Sequence, residues 1–264
     1  MIAKLPKYAL WLSLALLLWF AIAAFGPKFG LVDWKFALGT MLRTAGPILI
    51  GLTALFALVA LVLVLWKGPR DRWWKAALAL VIPAALMGGL AWVANTAASV
   101  PPIHDVATDT ANPPGFSAAT MDMRGRLEAN PLNDYQTPLG QLEAWQGMEA
   151  GNPLAQQSHA QIITAAYPDL RPIPFTVDRS DAMAQVSAAM SDIGLTDIRS
   201  DVQAGTVEGT AETFAFGFRD DVVARVGDGV IDLRSVSRVG LSDLGYNAAR
   251  LRELSAAIEA RLDD

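Results

Sequence analysis

Three long apolar stretches in the first 94 residues constrain this chain more than any other feature. They cover residues 8–25, 45–66 and 76–94, which are 18, 22 and 19 residues long, and none of them contains a charged side chain. A helix needs about 20 mostly apolar residues to cross the hydrocarbon core of a bilayer. The sequence therefore predicts three transmembrane helices followed by a water-soluble part.

The first stretch also has features of a cleaved secretory signal, because Lys4 and Lys7 precede an apolar core. The apolar run is, however, longer than the core of an ordinary signal peptide. No clear cleavage site of two small residues, one position apart, precedes residues 25–27. We therefore expect an uncleaved span.

The loop between the first two spans is amphipathic. Leu31, Trp34 and Leu38 fall on one face of a helix, while Asp33 and Arg43 fall on the other. This pattern fits a short helix in the membrane interface, and it fits equally well an early start of the second span.

The distribution of basic residues predicts the sidedness of the chain. The turn at residues 66–75 contains four basic residues and three tryptophans, and the N-terminus adds Lys4 and Lys7. The loop between the first two spans has three basic residues. Because Lys and Arg collect on the cytoplasmic side, we expect a cytoplasmic N-terminus in an inner membrane and a periplasmic C-terminal half.

The spans themselves contain no acid, base or histidine. Ion paths and proton relays usually need such groups inside the membrane. The pattern therefore favours an anchor or an assembly surface in the lipid bilayer over a channel or a transporter.

The charge of the chain differs strongly between its two halves. Residues 1–94 hold nine Lys and Arg against two Asp and Glu, whereas residues 95–264 hold twelve Arg, no Lys and 24 Asp and Glu. An acidic domain repels nucleic acid, so we expect no nucleic-acid partner. The chain has no cysteine, which excludes disulfides, thiolate catalysis and Cys-ligated metals.

We divide the chain into a membrane domain at residues 1–94, a Pro-rich linker at residues 95–118 and a periplasmic domain at residues 119–264. From residue 173 the patterns predict the order β-α-β-β-β-β-α, with a hairpin through Gly227, Asp228 and Gly229. An antiparallel sheet with helices on one face follows, which defines an α+β class. We expect one long strand over residues 206–218, bent near Gly209 or Gly217. Phe214, Phe216 and Phe218 are expected to line a sheet face as core, as a lipid-sized groove or as a partner interface.

Two stretches of the soluble half share their residues with a known family. The first runs Pro-Pro-Ile-His-Asp-Val-Ala-Thr-Asp-Thr over residues 101–110 and continues to Asn112-Pro113-Pro114; the second runs Asp-Leu-Arg-Ser-Val-Ser-Arg-Val-Gly over residues 232–240 and continues through residues 243–252. Two shorter stretches between them, residues 166–169 and 216–222, are also similar to that family. Residues 100–262 thus resemble the family catalogued as domain of unknown function 1499. The resemblance implies a fold and an envelope location, and it supplies no catalytic residue.

His104 and Asp105, with Asp109, are the first candidate site. A histidine and two carboxylates can bind a divalent metal, or an acid can orient the histidine as a base. Their spacing in a Pro-rich loop matches no known ligand pattern, and the alternative is that His104 and Asp105 hydrogen-bond the linker onto the domain. The second histidine, His159, is expected to be exposed. We predict no metal and no cofactor.

The second candidate is the arginine-rich face of the last hairpin. Strand alternation places Asp232, Arg234 and Arg238 on one face, and Arg225 on the partner strand can join them. Asp243, Asn247 and Arg250 follow around a strand-to-helix turn, where a helix N-terminus with nearby Arg binds phosphate or carboxylate. The alternative is internal: Asp243 caps the helix, and Arg238 and Arg250 pair with acids of the domain.

These patterns contain no known nucleophile, zinc-protease, phosphate-loop or dinucleotide motif. The sequence therefore favours a non-catalytic domain that binds an envelope protein partner or a small anionic or lipidic ligand. Its candidate contact residues are His104, Asp105, Arg234, Arg238, Asp243, Asn247 and Arg250. The alternative function is an envelope hydrolase acting on lipid or cell-wall material, centred on His104 and Asp105.

Overall fold

The computed structural model describes residues 2–148 and 151–263 and divides into two compact units. The first unit comprises Met1–Thr96 and Phe214–Gly217, and the second comprises Ala97–Thr213 and Phe218–Asp264. Residues 1, 149, 150 and 264 of the predicted domains lie outside the described residues.

Three long helices dominate the first unit: α1 (Leu5–Phe25), α2 (Gly46–Lys67) and α3 (Trp73–Ser99). With the short helices that precede them they form helical segments of 24, 32 and 30 residues, and an 18-residue window in each has a mean hydropathy of 2.1, 3.1 and 2.1, respectively. All three are long and apolar enough to cross a membrane, so the prediction of three spans is confirmed at the level of length and composition.

The amphipathic first loop is continuous with α2. Phe36–Ala45 forms a π-helix that runs directly into α2, so the helical segment extends over Phe36–Lys67. This corresponds to the early start of the second span. The Trp19 indole donates a hydrogen bond to the Met41 carbonyl (3.2 Å) in this π-helix, and Ser13 Oγ of α1 donates to the Ala79 carbonyl of α3 (2.7 Å).

The second unit is an antiparallel sheet with helices, as the sequence predicts. Its elements in chain order are β1 (Asp105–Ala107), α4 (Ala118–Arg126), α5 (His159–Ala166), β2 (Ile173–Pro174), α6 (Arg179–Asp192), β3 (Thr196–Asp201), β4 (Thr206–Glu212), β5 (Arg219–Val226), β6 (Val230–Ser237) and α7 (Tyr246–Asp263). The six strands are ordered β1-β6-β5-β4-β3, and β2 pairs with β6. The α+β class and the order from β2 to α7 are confirmed.

The two faces of the sheet differ in chemistry because strand residues alternate between them. On one face, apolar residues of β5 and β6 such as Val222, Val226 and Leu233 are completely buried in one core with side chains of α6 and α7. The opposite face is rich in Arg, Asp, Glu and Thr, and the short helix α4 lies against it. Thr120 and Arg124 of α4 bond to residues of β4 and β5 on this polar face.

Strand β1 lies inside the Pro-rich segment. Asp105 is paired with Val236 and Ala107 with Arg234, so the segment contributes an edge strand beside β6. Ile103–Ala107 is fully buried. This part of the segment is therefore built into the folded domain.

The predicted long strand over residues 206–218 is wrong. Strand β4 ends at Glu212 and β5 begins at Arg219, with a turn between them in which Phe216 and Gly217 have positive φ angles of 65° and 66°. Left-handed backbone reverses the chain and breaks the alternation of a strand. Phe214 is 81% exposed, so the three phenylalanines do not line a sheet face.

Candidate functional site

Asp105 and Arg234 form the centre of the predicted site. Their strands are adjacent, and the register of β1 and β6 places both side chains on the polar face. Arg234 donates from Nε to Asp105 Oδ1 (2.9 Å) and from Nη2 to Oδ2 (2.7 Å). The Tyr135 hydroxyl donates to Oδ1 (2.6 Å), and the Asn133 backbone N–H donates to Oδ2 (3.1 Å). Asp105 is 0% exposed and Arg234 is 4% exposed.

The electrostatics of this pair fix its ionised state. Burial by itself raises the pKa of the Asp105 carboxyl, but the charge and the hydrogen bonds of Arg234 outweigh it and hold that pKa below its usual value. Burial and the neighbouring Asp105 charge raise the pKa of Tyr135 well above 10. Asp105 therefore stays a carboxylate with every oxygen bonded, and it has neither a proton to give nor an exposed edge for a substrate.

His104 is equally enclosed, with 0% of its surface exposed. Its ring stacks on Trp145 at a centroid distance of 5.2 Å and an interplanar angle of 6°. Nδ1 lies 3.4 Å from the Leu241 carbonyl, and Nε2 lies 3.3 Å from Asn133 Nδ2. Desolvation lowers its pKa below the ordinary value, against an opposing effect of Asp105. His104 is a neutral ring that packs and orients the chain around β1.

Asn247 and Arg250 join α7 to the sheet on its other, apolar face. Arg250 Nη2 donates to Asp220 Oδ2 (2.7 Å), while Nη1 donates to Ser235 Oγ (2.9 Å) and Asn247 Oδ1 (2.7 Å). Asn247 Nδ2 donates to the carbonyl of His104 (2.9 Å). The side chain of Arg250 is therefore committed to an internal acid, Asp220, which matches the internal alternative of the sequence analysis.

Asp243 caps the start of α7. Its carboxylate accepts hydrogen bonds from the backbone N–H groups of Gly245 (2.8 Å) and Asn247 (2.7 Å). Burial raises the pKa of Asp243 to about 6 in spite of these two donors. Asp243 thus caps the N-terminus of α7, as the sequence predicts.

Arg238 lies on the polar face, where it shares Asp221 with Arg124 of α4. Arg238 donates from Nη2 (2.6 Å) and Nε (3.1 Å) to Asp221 Oδ1, and Nη2 also lies 3.3 Å from Thr210 Oγ1. Arg124 donates to the second oxygen of Asp221 and to the Asn130 carbonyl (2.6 Å). Asp221 is thus shared by two guanidinium groups, while the nearby carboxylate of Glu208 accepts, among the described residues, only from the uncharged Ser117 and Thr120.

A surface pocket of about 200 Å³ opens between α4 and the polar face of the sheet. Half of its lining residues are charged, and its three large apolar side chains lie on the α4 side: Phe116, Thr120, Met123 and Leu127 line the α4 side, and Asp197, Arg199, Glu208, Gly209, Thr210, Arg219, Asp221 and Arg238 line the sheet side. Of the seven residues predicted for contact, Arg238 lines this pocket, whereas His104, Asp105, Arg234, Asp243, Asn247 and Arg250 belong to internal networks. Sequence patterns do not reveal the pocket, because α4 and the three strands that form it meet only in the folded chain.

His159 is buried, so the expectation that it is exposed is wrong. Its ring stacks on Tyr135 (5.5 Å) and contacts Trp145 edge to face (5.2 Å), and neither ring nitrogen has a hydrogen-bond partner among the described residues. Desolvation lowers its pKa to about 4. No group of three or more His, Asp or Glu side chains in residues 2–148 and 151–263 is placed to hold a metal ion.

The fold and these networks define a membrane protein with three apolar N-terminal helices and an α+β domain stabilised by buried ion pairs. The domain matches the model of the family described as "Protein of unknown function (DUF1499)" over residues 105–258, and the chain belongs to this family. No curated protein and no solved structure matches the chain significantly.

Proposed function

We propose that this chain is a multi-pass inner-membrane protein whose periplasmic domain binds an envelope partner or a small anionic or lipidic ligand without catalysing a reaction. Residues 1–94 are its membrane domain, with the N-terminus in the cytoplasm. The basic turn at residues 66–75, with tryptophans at both of its ends, supports this orientation.

The observation that carries the non-catalytic part of the proposal is the closed network around Asp105. A general base has to reach the proton that it removes, but His104 and Asp105 are both 0% exposed. Every oxygen of Asp105 is bonded, and the His104 ring lies against Trp145. These residues are better suited to holding the Pro-rich segment on the sheet than to contacting a substrate.

The pocket beside α4 supports the binding part of the proposal. It is a small concave cavity that combines an apolar wall with arginines able to orient an anion, which is the combination that a small amphipathic ligand needs. The acidic charge of residues 95–264 disfavours a polyanion such as nucleic acid, and it is compatible with small anions, lipids and basic or neutral protein surfaces as occupants.

A combined binding and turnover screen tests the proposal. The purified full-length protein in detergent micelles is heated with short-chain acids, phospholipid head groups and cell-wall fragments, and each compound is then analysed for conversion by mass spectrometry. We expect at least one anionic or lipidic compound to raise the unfolding midpoint, and no compound to be converted. Conversion by the wild type that is lost in a folded His104→Gln variant would establish the hydrolase instead.

A further inference from the structure

The hydrogen-bonding capacity left open in the pocket beside α4 is mostly that of donors. Glu208 accepts from the Ser117 backbone N–H, from Ser117 Oγ (2.9 Å) and from Thr120 Oγ1, so its carboxylate is satisfied by the start of α4. Asp221 is shared by Arg124 and Arg238. Neither of these two carboxylates has an oxygen to spare for a cationic ligand, and the third lining acid, Asp197, is exposed with no side-chain hydrogen bond to a described residue.

The three arginines of the pocket all retain free N–H groups. Arg219 uses only Nε to bond a described residue, Glu212. Arg238 uses Nε and Nη2 for its bonds to Asp221 and Thr210, and its Nη1 has no partner in the described part of the chain. Arg199 of β3 pairs with Glu208 of β4 in the sheet, but its exposed side chain has no hydrogen bond or ion pair with any described residue. Guanidinium groups bind carboxylates and phosphates through parallel N–H bonds.

The charge of the lining favours an anion with a single negative charge. Three arginines (Arg199, Arg219 and Arg238) face three acids (Asp197, Glu208 and Asp221), so the lining has no net charge that would compensate a second negative charge on the ligand. The free donors of Arg199 and Arg238 can satisfy one carboxylate group.

The α4 side of the pocket is apolar. Phe116, Met123 and Leu127 form this wall, and Leu127 is 56% exposed. A ligand that covers these side chains gains about 25 cal/mol for each Å² of apolar surface removed from water. The cavity of about 200 Å³ lies below the usual range of about 300–1,000 Å³ for drug-sized ligands, so the apolar part of the ligand has to be short.

We propose that this pocket binds a small organic acid, with its carboxylate between Arg199 and Arg238 and its short apolar tail against Phe116, Met123 and Leu127. This inference rests on the proposed binding function and names the site and the ligand class. It gives the side chain of Arg199, which makes no hydrogen bond or ion pair with a described residue, a role in ligand recognition.

Calorimetric titration of the full-length protein in detergent micelles with hexanoate tests the inference. We expect saturable binding of hexanoate, no binding of hexanol or hexylamine, and at least tenfold weaker binding of inorganic phosphate. Arg199→Gln should weaken hexanoate binding about tenfold, which corresponds to about 1.4 kcal/mol, and Leu127→Asn should weaken it several-fold. Arg171→Gln removes the same charge from an exposed arginine outside the pocket and should leave binding unchanged.

Each contrary result overturns a different part of the proposal. The absence of saturable hexanoate binding by the folded wild type overturns the inference, and so does binding that survives both Arg199→Gln and Leu127→Asn. Tighter binding of hexylamine or phosphate than of hexanoate overturns the assigned ligand class. If hexanoate does not bind while another compound raises the unfolding midpoint, the assigned ligand and pocket are wrong and the proposed binding function is supported. Turnover that depends on His104 would overturn only the proposal that the protein is not a catalyst.

Discussion

Arg234 and Asp105 are 129 residues apart in the chain, yet they meet through two hydrogen bonds of 2.9 and 2.7 Å where water reaches neither side chain appreciably. This pair fastens the Pro-rich segment to the last strand of the sheet. Removing one member of a buried ion pair typically costs about 3–5 kcal/mol, since the other charge stays buried without compensation. We therefore expect Arg234→Met to lower the free energy of unfolding by about that amount in urea denaturation of the full-length protein.

A double variant distinguishes lost charge from lost packing at this position. Replacing both charges in Asp105→Leu/Arg234→Met leaves no unpaired ion, and such replacements are often neutral or stabilising. We expect the double variant to recover most of the stability that Arg234→Met loses. A cost below about 1 kcal/mol for Arg234→Met would show that the pair is dispensable.

His159 should make the domain sensitive to acid. Desolvation lowers its pKa from the ordinary 6.5 to about 4, with Asp105 and Asp134 opposing the shift and His104 and Arg234 reinforcing it. Because the unfolded chain binds the proton more tightly than the folded chain, the stability from His159 is complete above pH 6.5. It is lost as the pH falls from 6.5 towards 4, by up to about 1.4 kcal/mol per pH unit.

The variant His159→Phe isolates this effect. Phenylalanine retains a ring for the contacts with Tyr135 and Trp145 and removes both the titrating group and the unpartnered nitrogens. The unfolding midpoint of the variant should depend less on pH between 6.5 and 4 than that of the wild type. A residual slope is expected from His104, whose pKa is lowered as well. Equal slopes in both proteins would rule out His159 as a source of acid sensitivity.

Asp243 should make the stability of the domain depend on pH in the opposite direction to His159. Burial raises its pKa from 3.8 to about 6, so the folded chain holds the proton more tightly and stability falls as the pH rises from about 4 through 6. Gly245 and Asn247 donate to different oxygens of Asp243, so the single amide oxygen of Asn can accept one of the two bonds, while the buried charge is removed. The lost bond costs the same at every pH, whereas the benefit of removing the charge appears only above about pH 4. We therefore expect the free energy of unfolding of Asp243→Asn, relative to that of the wild type, to rise by about 2 kcal/mol between pH 4 and pH 7. A difference between the two proteins that does not change with pH would show that Asp243 does not titrate in this range.

The fold was largely predictable because its signals are local. Alternation along β6 separates Asp232 and Arg234 from Leu233, and the structure pairs Asp232 with Arg225 as the sequence suggests. The three spans, the hairpin and the Asp243 cap also depend on residues close together in the chain. The sequence predicts a bend near Gly217 but not the complete turn there, because a phenylalanine with positive φ at position 216 contradicts the local preference of that residue.

The candidate site was harder to predict because its contacts are distant in sequence. Arg124 lies 97 residues from Asp221, and Ser117 lies 91 residues from Glu208. The polar sequence around His159 suggests exposure, but Tyr135 and Trp145 from irregular segments cover its ring. Strand alternation predicts which residues share a face of the sheet, and it does not predict that α4 covers part of that face.

The proposed periplasmic function depends on the orientation of the chain in the membrane, and two single-cysteine variants test that orientation most directly. Because the chain has no cysteine, Asp71→Cys in the basic turn and Gln203→Cys in the exposed turn after β3 can each be labelled with a membrane-impermeant maleimide in intact cells. We predict that Gln203→Cys is labelled in intact cells and that Asp71→Cys is labelled only after lysis. Labelling of Asp71→Cys alone in intact cells would place the α+β domain in the cytoplasm and contradict a periplasmic function.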